Sequence, residues 1–249
     1  MIDNDAVALV TGGGSGIGRA AAVAFATAGA RVAIADIDLA AAERTAAALP
    51  PGRAMAIRVD VTSEAEVVAA FGKTVTAWGR LDHLFNNAGI RGGSVEAHEM
   101  SEAEFRRVMD LNVTGAFLCQ REALKAMYRA GRGTIVNMAS IMGFTTGPGA
   151  LQYTVSKHAV IGLTKAAAFE AAPRGIRVNA VAPGTTETPL MLAHAGDAET
   201  IRQRYTPAYP VGRLGLPEEI AAAVIWLSGS ASTFVTGHTL VIDGGYLLR

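Results

Sequence analysis

The sequence predicts a single-domain α/β fold: a doubly wound parallel sheet of about seven strands, flanked by helices on both faces. Two observations predict it. Short, near-continuous apolar runs alternate with longer helical ones along the whole chain, as strands buried on both faces require. A glycine cluster lies between the first of these runs and the first helix, where such sheets turn to meet a phosphate. The 249 residues, half of them apolar, suffice for one sizeable core, and no low-complexity linker or internal repeat divides them.

The elements follow in order. Ala6–Thr11 reads as the first strand and Gly18–Ala28 as an alanine-rich helix. Arg31–Asp36 is the second strand, Leu39–Leu49 the second helix, and Ala54–Val59 the third strand, ending at Asp60. Ser63 and Glu66 form a capping box that opens a helix to about Trp78. His83–Asn86, Thr134–Met138 and Arg177–Ala182 are the next three strands, and Thr239–Ile242 is the last. One long stretch, Pro183 to about Leu216, reads as irregular and starts at the carboxyl end of a strand. Loops of that length inside compact domains are usually functional, so residues 184–215 are expected to form a substrate lid.

Composition excludes several functions. Lys plus Arg balance Asp plus Glu at 22 each, which leaves no electrostatic footprint for nucleic acid or an anionic membrane. Cys119 is the sole cysteine, so neither an intrachain disulfide nor a cysteine zinc site is available. The five histidines show no HxxxH or HExxH spacing, and no metal is expected. No apolar run approaches the roughly 18 residues that span a bilayer, and the N-terminal MIDNDAVALV lacks a basic leader. A cytoplasmic enzyme acting on a small molecule is the expectation.

The glycine cluster is Thr11-Gly12-Gly13-Gly14-Ser15-Gly16-Ile17-Gly18. Gly12, Gly16 and Gly18 permit a tight turn, a close backbone approach to a pyrophosphate and close helix packing, and the amides around Ser15 and Ile17 then face the phosphates. A glycine turn alone is a weak signal. Asp36 strengthens it: about 20 residues on, at the end of the second strand, a carboxylate accepts hydrogen bonds from a ribose hydroxyl pair. It would repel a 2′-phosphate, and Ile37-Asp38-Leu39 supplies no cation to offset that, so NAD is expected over NADP. Asp60 and Val61 are placed to hold the adenine.

Ser140, Tyr153 and Lys157 form the chemical constellation. Tyr153 and Lys157 stand four apart on a predicted helix and share a face, while Ser140 follows the fifth strand. A free tyrosine, with a pKa of about 10, is a poor base near neutrality. A lysine ammonium and a cationic nicotinamide ring would both favour the phenolate. Such a tyrosine takes an alcohol proton as hydride leaves, and Ser140 holds the substrate oxygen.

Taken together these motifs resemble the short-chain dehydrogenase/reductase family over essentially the whole chain. The matching segments are Thr11–Gly18, Asp60-Val61, Asn86–Gly89 (NNAG), Asn112, Ser140, Tyr153–Lys157 (YTVSK), Pro183-Gly184, Thr188 and Asp243–Gly245 (DGG). The resemblance implies a single Rossmann-type domain and a catalytic tetrad of Asn112, Ser140, Tyr153 and Lys157. Asn112 would kink its helix and hold a water that relays protons with Lys157, which would also hold the nicotinamide ribose. Asn87, Ala88 and Gly89 would line the cofactor, and the backbone after Pro183 and Gly184, with Thr186 and Thr188, the carboxamide. It also implies a homotetramer, with which the runs Ile220–Leu227 and Tyr246–Leu248 are compatible, as they are with plain core.

For the substrate, Ile141, Met142, Leu151, Leu190, Met191 and Leu192 suggest an apolar pocket for a secondary alcohol or ketone, cyclic or a diol. Arg91, directly after NNAGI, is either a solvated loop residue or a partner for an anionic substrate group. His194 lies in the expected lid. The competing enzymatic readings are an NADPH-dependent 3-oxoacyl carrier-protein reductase and a sugar dehydrogenase. A reading from another class is a non-catalytic NAD sensor, which has no need of the complete tetrad.

Overall fold

A computed structural model describes residues 1–195 and 197–248, except the side chains at 193–195 and 198; the side chain of His194 therefore lies outside the described residues. Seven strands form one sheet: β1 (Val7–Thr11), β2 (Arg31–Asp36), β3 (Ala54–Arg58), β4 (His83–Asn86), β5 (Gly133–Met138), β6 (Ile176–Pro183) and β7 (Thr239–Ile242). Their order is β3-β2-β1-β4-β5-β6-β7 and every pairing is parallel. This is the doubly wound sheet that the alternating pattern predicts.

Alternation along the strands divides the core. Val7 and Leu9 of β1 face one side with α3 (Glu64–Trp78), α5 (Ala116–Ala130) and α6 (Leu151–Ala171). Ala8 and Val10 face the other with α1 (Gly16–Thr27), α2 (Leu39–Ala47) and α9 (Pro217–Ser228). The run Ile220–Leu227 is half core, with Ile220, Ala221, Val224 and Leu227 buried and Trp226 exposed, while Leu248 in the tail is exposed. Among the described residues no helix is long and apolar enough to cross a membrane.

Three expectations are corrected. The stretch after β6 is not irregular: it carries α7 (Pro189–Ala195) and α8 (Ala198–Tyr205), the latter capped by Asp197, whose carboxylate accepts from the Thr200 amide at 2.9 Å. The capping box at α3 is only half made. Ser63 Oγ accepts the Glu66 amide, but the Glu66 carboxylate turns back to accept from the Asp60 amide at 2.9 Å and from Arg58 at 2.8 Å. The first helix starts at Gly16, two residues earlier than expected, because the glycine turn closes faster than its length suggests.

Buried polar side chains join the central strands to the helices behind them. Asn137 on β5, fully buried, donates to Gln120 of α5 (2.9 Å) and Thr164 of α6 (3.0 Å) and accepts from Asn86 of β4 (3.1 Å). Each partner is itself buried and cannot reach water if Asn137 is removed. Asn137→Ala is expected to cost about 2–3 kcal/mol, read as a lower urea midpoint at unchanged slope.

Candidate active site

The strand order reverses at β1, where β2 lies on one side and β4 on the other, and a cavity of about 410 Å³ opens at the carboxyl ends of these strands. Side chains tie the two sides together. Thr11 Oγ1 accepts from the Asn87 and Ala88 amides at 2.9 and 3.0 Å, and Asn87 Nδ2 donates to the Thr11 and Gly12 carbonyls. Gly12 has φ of 62°, and a Cβ there would stand 2.8 Å from Asn87 Nδ2. The turn accordingly has no room for another residue.

Of the residues expected to hold a dinucleotide, the turn contributes Gly12, Ser15, Gly16 and Ile17 to the wall. The ends of β2 and β3 add Asp36 and Ile37, then Asp60 and Val61. Asn87, Ala88 and Gly89 follow β4, and Pro183, Gly184, Thr186 and Thr188 follow β6. Gly18 does not line the cavity; a Cβ there would overlap the Gly12 carbonyl, so it serves packing. Asp36 holds the turn as well, since its carboxylate accepts from the Gly14 amide at 2.8 Å. Ser15 makes no side-chain capping bond to α1, and the first turn of α1 carries no acid. Amides left uncapped at a helix start beside a glycine turn suit a pyrophosphate, so these residues fit a dinucleotide.

The four chemical residues converge at the other end. Helix α4 (Glu102–Met109) runs into a wide π-helical segment, Asp110–Gly115, before α5 begins. Asn112 sits in that segment, buried, and clamps Ile90: its Oδ1 accepts from the Ile90 amide and its Nδ2 donates to the Ile90 carbonyl, both at 2.8 Å. It also donates to Ser156 Oγ of α6 at 3.0 Å. Ser140 follows β5, its hydroxyl accepts from the Met142 amide at 3.2 Å, and it hydrogen-bonds with Tyr153. Lys157, one turn beyond Tyr153, lies 5.4 Å from the centre of the Tyr153 ring and donates to the Met138 carbonyl at 2.7 Å.

Burial sets the protonation of this group. The Tyr153 phenol is raised above its ordinary value by burial, opposed by the Ser140 hydrogen bond and the Arg91 charge. Burial also pushes Lys157 down from 10.5 to about 8. Cys119 is buried, and its thiol, raised to about 12, is no nucleophile.

Ile141, Met142, Leu190 and Met191 line the cavity beside Ser140 and Tyr153. Leu151 does not; it is exposed at the start of α6. Leu192 lines a separate, smaller cavity with Glu187 and Ile201. Arg91, one of whose readings was a solvated loop residue, is half-buried and lines the main cavity. Tyr205 of α8 also lines it and was missed, since an apparently irregular stretch gives no register from which to single out a side chain. Ile90, Leu111 and Ala150 line it without any motif to mark them.

A family model described as enoyl-(acyl carrier protein) reductase matches residues 12–247. The 2,5-dichloro-2,5-cyclohexadiene-1,4-diol dehydrogenase of Sphingobium indicum strain B90A is 44% identical over 240 residues, 96% of this chain and 95% of that protein. The cyclohexanol dehydrogenase of Acinetobacter sp. strain SE19 is 40% identical over 98% of this chain and 95% of its own. Among solved structures, the 3-ketoacyl-(acyl-carrier-protein) reductase from Brucella melitensis complexed with NADH superposes with a TM-score of 0.92 at 36% identity, covering 98% of each chain. The chain belongs to the short-chain dehydrogenase/reductase family. It is an oxidoreductase that interconverts secondary alcohols and ketones, in a family that uses nicotinamide dinucleotides.

The lowered pKa of Lys157 has a signed consequence. Between about pH 8 and 10.5 the unfolded chain binds a proton at this site that the folded chain does not, so the contribution of Lys157 to stability improves as pH rises through that window. Below it, the buried ammonium costs stability. Without dinucleotide, Lys157→Met is expected to be more stable than the native protein at pH 7, by about 1–3 kcal/mol, with the gap closing by pH 10 in denaturant titrations.

Proposed function

We propose that this chain uses NAD to oxidise a ring-bearing secondary alcohol to its ketone, and reverses the reaction when NADH is supplied. The observation that carries the reading is Tyr153, hydrogen-bonded with Ser140 and one turn from Lys157, at the apolar end of a cavity whose other end suits a dinucleotide. The ring follows from the two related dehydrogenases named above, and from walls of Ile141, Met142, Leu190 and Met191.

The turn amides and the start of α1 would hold the pyrophosphate, Asp36 the ribose hydroxyls and Asp60 with Val61 the adenine. Asn87, Ala88 and Gly89, with Pro183, Gly184, Thr186 and Thr188, would hold the nicotinamide half. Bound NAD supplies the hydride acceptor. The chain's own residues handle the proton and the geometry. Ser140 donates to the substrate oxygen and fixes it beside Tyr153, which takes the hydroxyl proton as the carbonyl forms. Lys157 keeps positive charge near the phenolate and also holds the ribose, and the proton leaves along a relay beside Lys157 and Asn112. The 184–215 segment, which brings Leu190, Met191 and Tyr205 to the wall, serves as the lid.

Preference for NAD rests on Asp36, a carboxylate where a 2′-phosphate would lie, followed by an exposed Ile37. NADH is therefore expected to bind more tightly than NADPH in a fluorescence titration. Asp36→Ala with Ile37→Arg should invert that order, and it should also weaken NADH, because the Gly14 amide loses its acceptor. Tyr153→Phe should reduce turnover of cyclic alcohols at least about a hundredfold while NADH still binds. A panel of cyclic alcohols, diols, sugars and 3-hydroxyacyl thioesters, with this variant as the blank, tests the substrate class. Turnover confined to the thioesters or the sugars would overturn the reading.

A further inference from the structure

We infer that the substrate carries an anionic group of carboxylate type, and that Arg91 binds it while the reacting oxygen sits at Ser140 and Tyr153. The inference deepens the reading of the site as an alcohol dehydrogenase and rests on it.

Charge is unevenly distributed along the cavity. The carboxylates in its wall, Asp36 and Asp60, stand at the ends of β2 and β3, in the dinucleotide half. Lys157 is turned to the Met138 carbonyl. At the substrate end the charged side chain is Arg91, among the apolar and aromatic walls of Met142, Leu190, Met191 and Tyr205. No carboxylate from the described residues lines that end. Glu187, nearby in sequence, is held by Arg202 through two bonds of 3.0 Å and lines the other cavity.

The backbone that carries Arg91 is pinned on both sides. Before it, Asn112 takes both the amide and the carbonyl of Ile90. After it, Gly93 donates to Glu104 Oε1 at 2.7 Å and accepts from Gln152 Nε2 at 2.6 Å. Between them Gly92 has φ of 79°, and a Cβ there would come within 2.8 Å of both Gln152 and Glu104. These bonds fix the backbone from which Arg91 reaches the cavity, so the planar fork of its side chain starts from a set point on the wall. Half-burial disfavours the guanidinium's charge, and an anion brought to its fork would favour that charge through charge-assisted hydrogen bonds. Arg91 also acts on Tyr153, favouring its phenolate, so the cation stands within electrostatic range of the reacting oxygen.

The test uses rings that differ only in charge. Isothermal titration compares cyclohexanecarboxylate with cyclohexanecarboxamide, each added to the protein with NADH. Turnover at one fixed pH compares 3- and 4-hydroxycyclohexanecarboxylates with their carboxamides. The native protein is expected to favour the carboxylate by about ten- to a hundredfold in both measurements. Arg91→Met should bring the ratio close to one, and Arg91→Lys should keep part of it; circular dichroism checks that both variants fold. A native ratio near one, or a ratio that survives Arg91→Met, overturns the inference, and so does failure of the carboxylate to bind. Tyr153-dependent turnover of the carboxamides with no charge preference would sink the anion site and leave the dehydrogenase reading standing. Arg91-dependent carboxylate binding without turnover of any ring alcohol would do the reverse.

Discussion

Two parallel strands that hand their chains to opposite sides leave amides and carbonyls without ladder partners at the point of separation. In this protein that point is the end of β1 and β4, and Thr11 and Asn87 resolve it. One hydroxyl oxygen takes two amides and one side-chain amide serves two carbonyls. Backbone groups buried here without partners would each cost about 1–3 kcal/mol, enough to loosen a protein of ordinary marginal stability. The clamp sets the distance between the glycine turn and the segment after β4. The floor of the cavity is therefore a by-product of satisfying the backbone, and the dinucleotide half of the site needs little further machinery.

The chemical half is reached from the same clamp by a second one. A few residues beyond Thr11's partners Asn87 and Ala88 begins the loop of Arg91 and Gly92, and Asn112 grips Ile90 just before it. Asn112 stands in a π-helical turn, an irregularity of the kind often found at functional sites. By also bonding Ser156, it ties this loop to the helix that carries Tyr153 and Lys157. A single buried amide thus sets the relation between the proton-transfer residues and Arg91. Displacements of about 1 Å in such arrangements cost large factors in rate, which gives a reason for holding the loop so firmly.

Legibility in the sequence followed the locality of the signal. The sheet was readable because each strand is a short apolar run, and β4 and β7 lie where the pattern places them. The glycine turn, Asp36 and the Tyr153–Lys157 pair were readable because turn geometry and helical spacing act over a few residues. The two helices after β6 were not, because Thr, Pro and Gly mask a polar stretch whose small apolar cluster, Ile201 with Tyr209 and Leu214, packs with Tyr246 of the tail apart from the main core. Tyr205 was missed for that reason, and Leu151 and Leu192 were placed in the wall by proximity along the chain when their side chains point elsewhere. For Tyr153, spacing shows that a lysine is near, but not that its ammonium also donates to a carbonyl at the end of β5, the preceding strand.

That last point bears on how the site is poised. Burial raises the Tyr153 phenol and lowers the Lys157 amine, so in the chain by itself both groups are driven towards their neutral forms. A neutral phenol is an acid, suited to giving a proton to a ketone. To become a base it needs positive charge brought close, and the chain supplies part of it from Arg91 and from Lys157, whose ammonium lies 5.4 Å from the centre of the Tyr153 ring. The remainder must arrive with the ligands: an oxidised nicotinamide carries a positive charge, whereas the reduced ring does not. On the proposed function, the direction of proton transfer at Tyr153 would then be coupled electrostatically to the redox state of the dinucleotide. An anion at Arg91 works against the phenolate, because it offsets the charge that Arg91 contributes. An anionic substrate would therefore make Tyr153 more dependent on the oxidised cofactor, tightening the link between hydride transfer and proton transfer at the same oxygen.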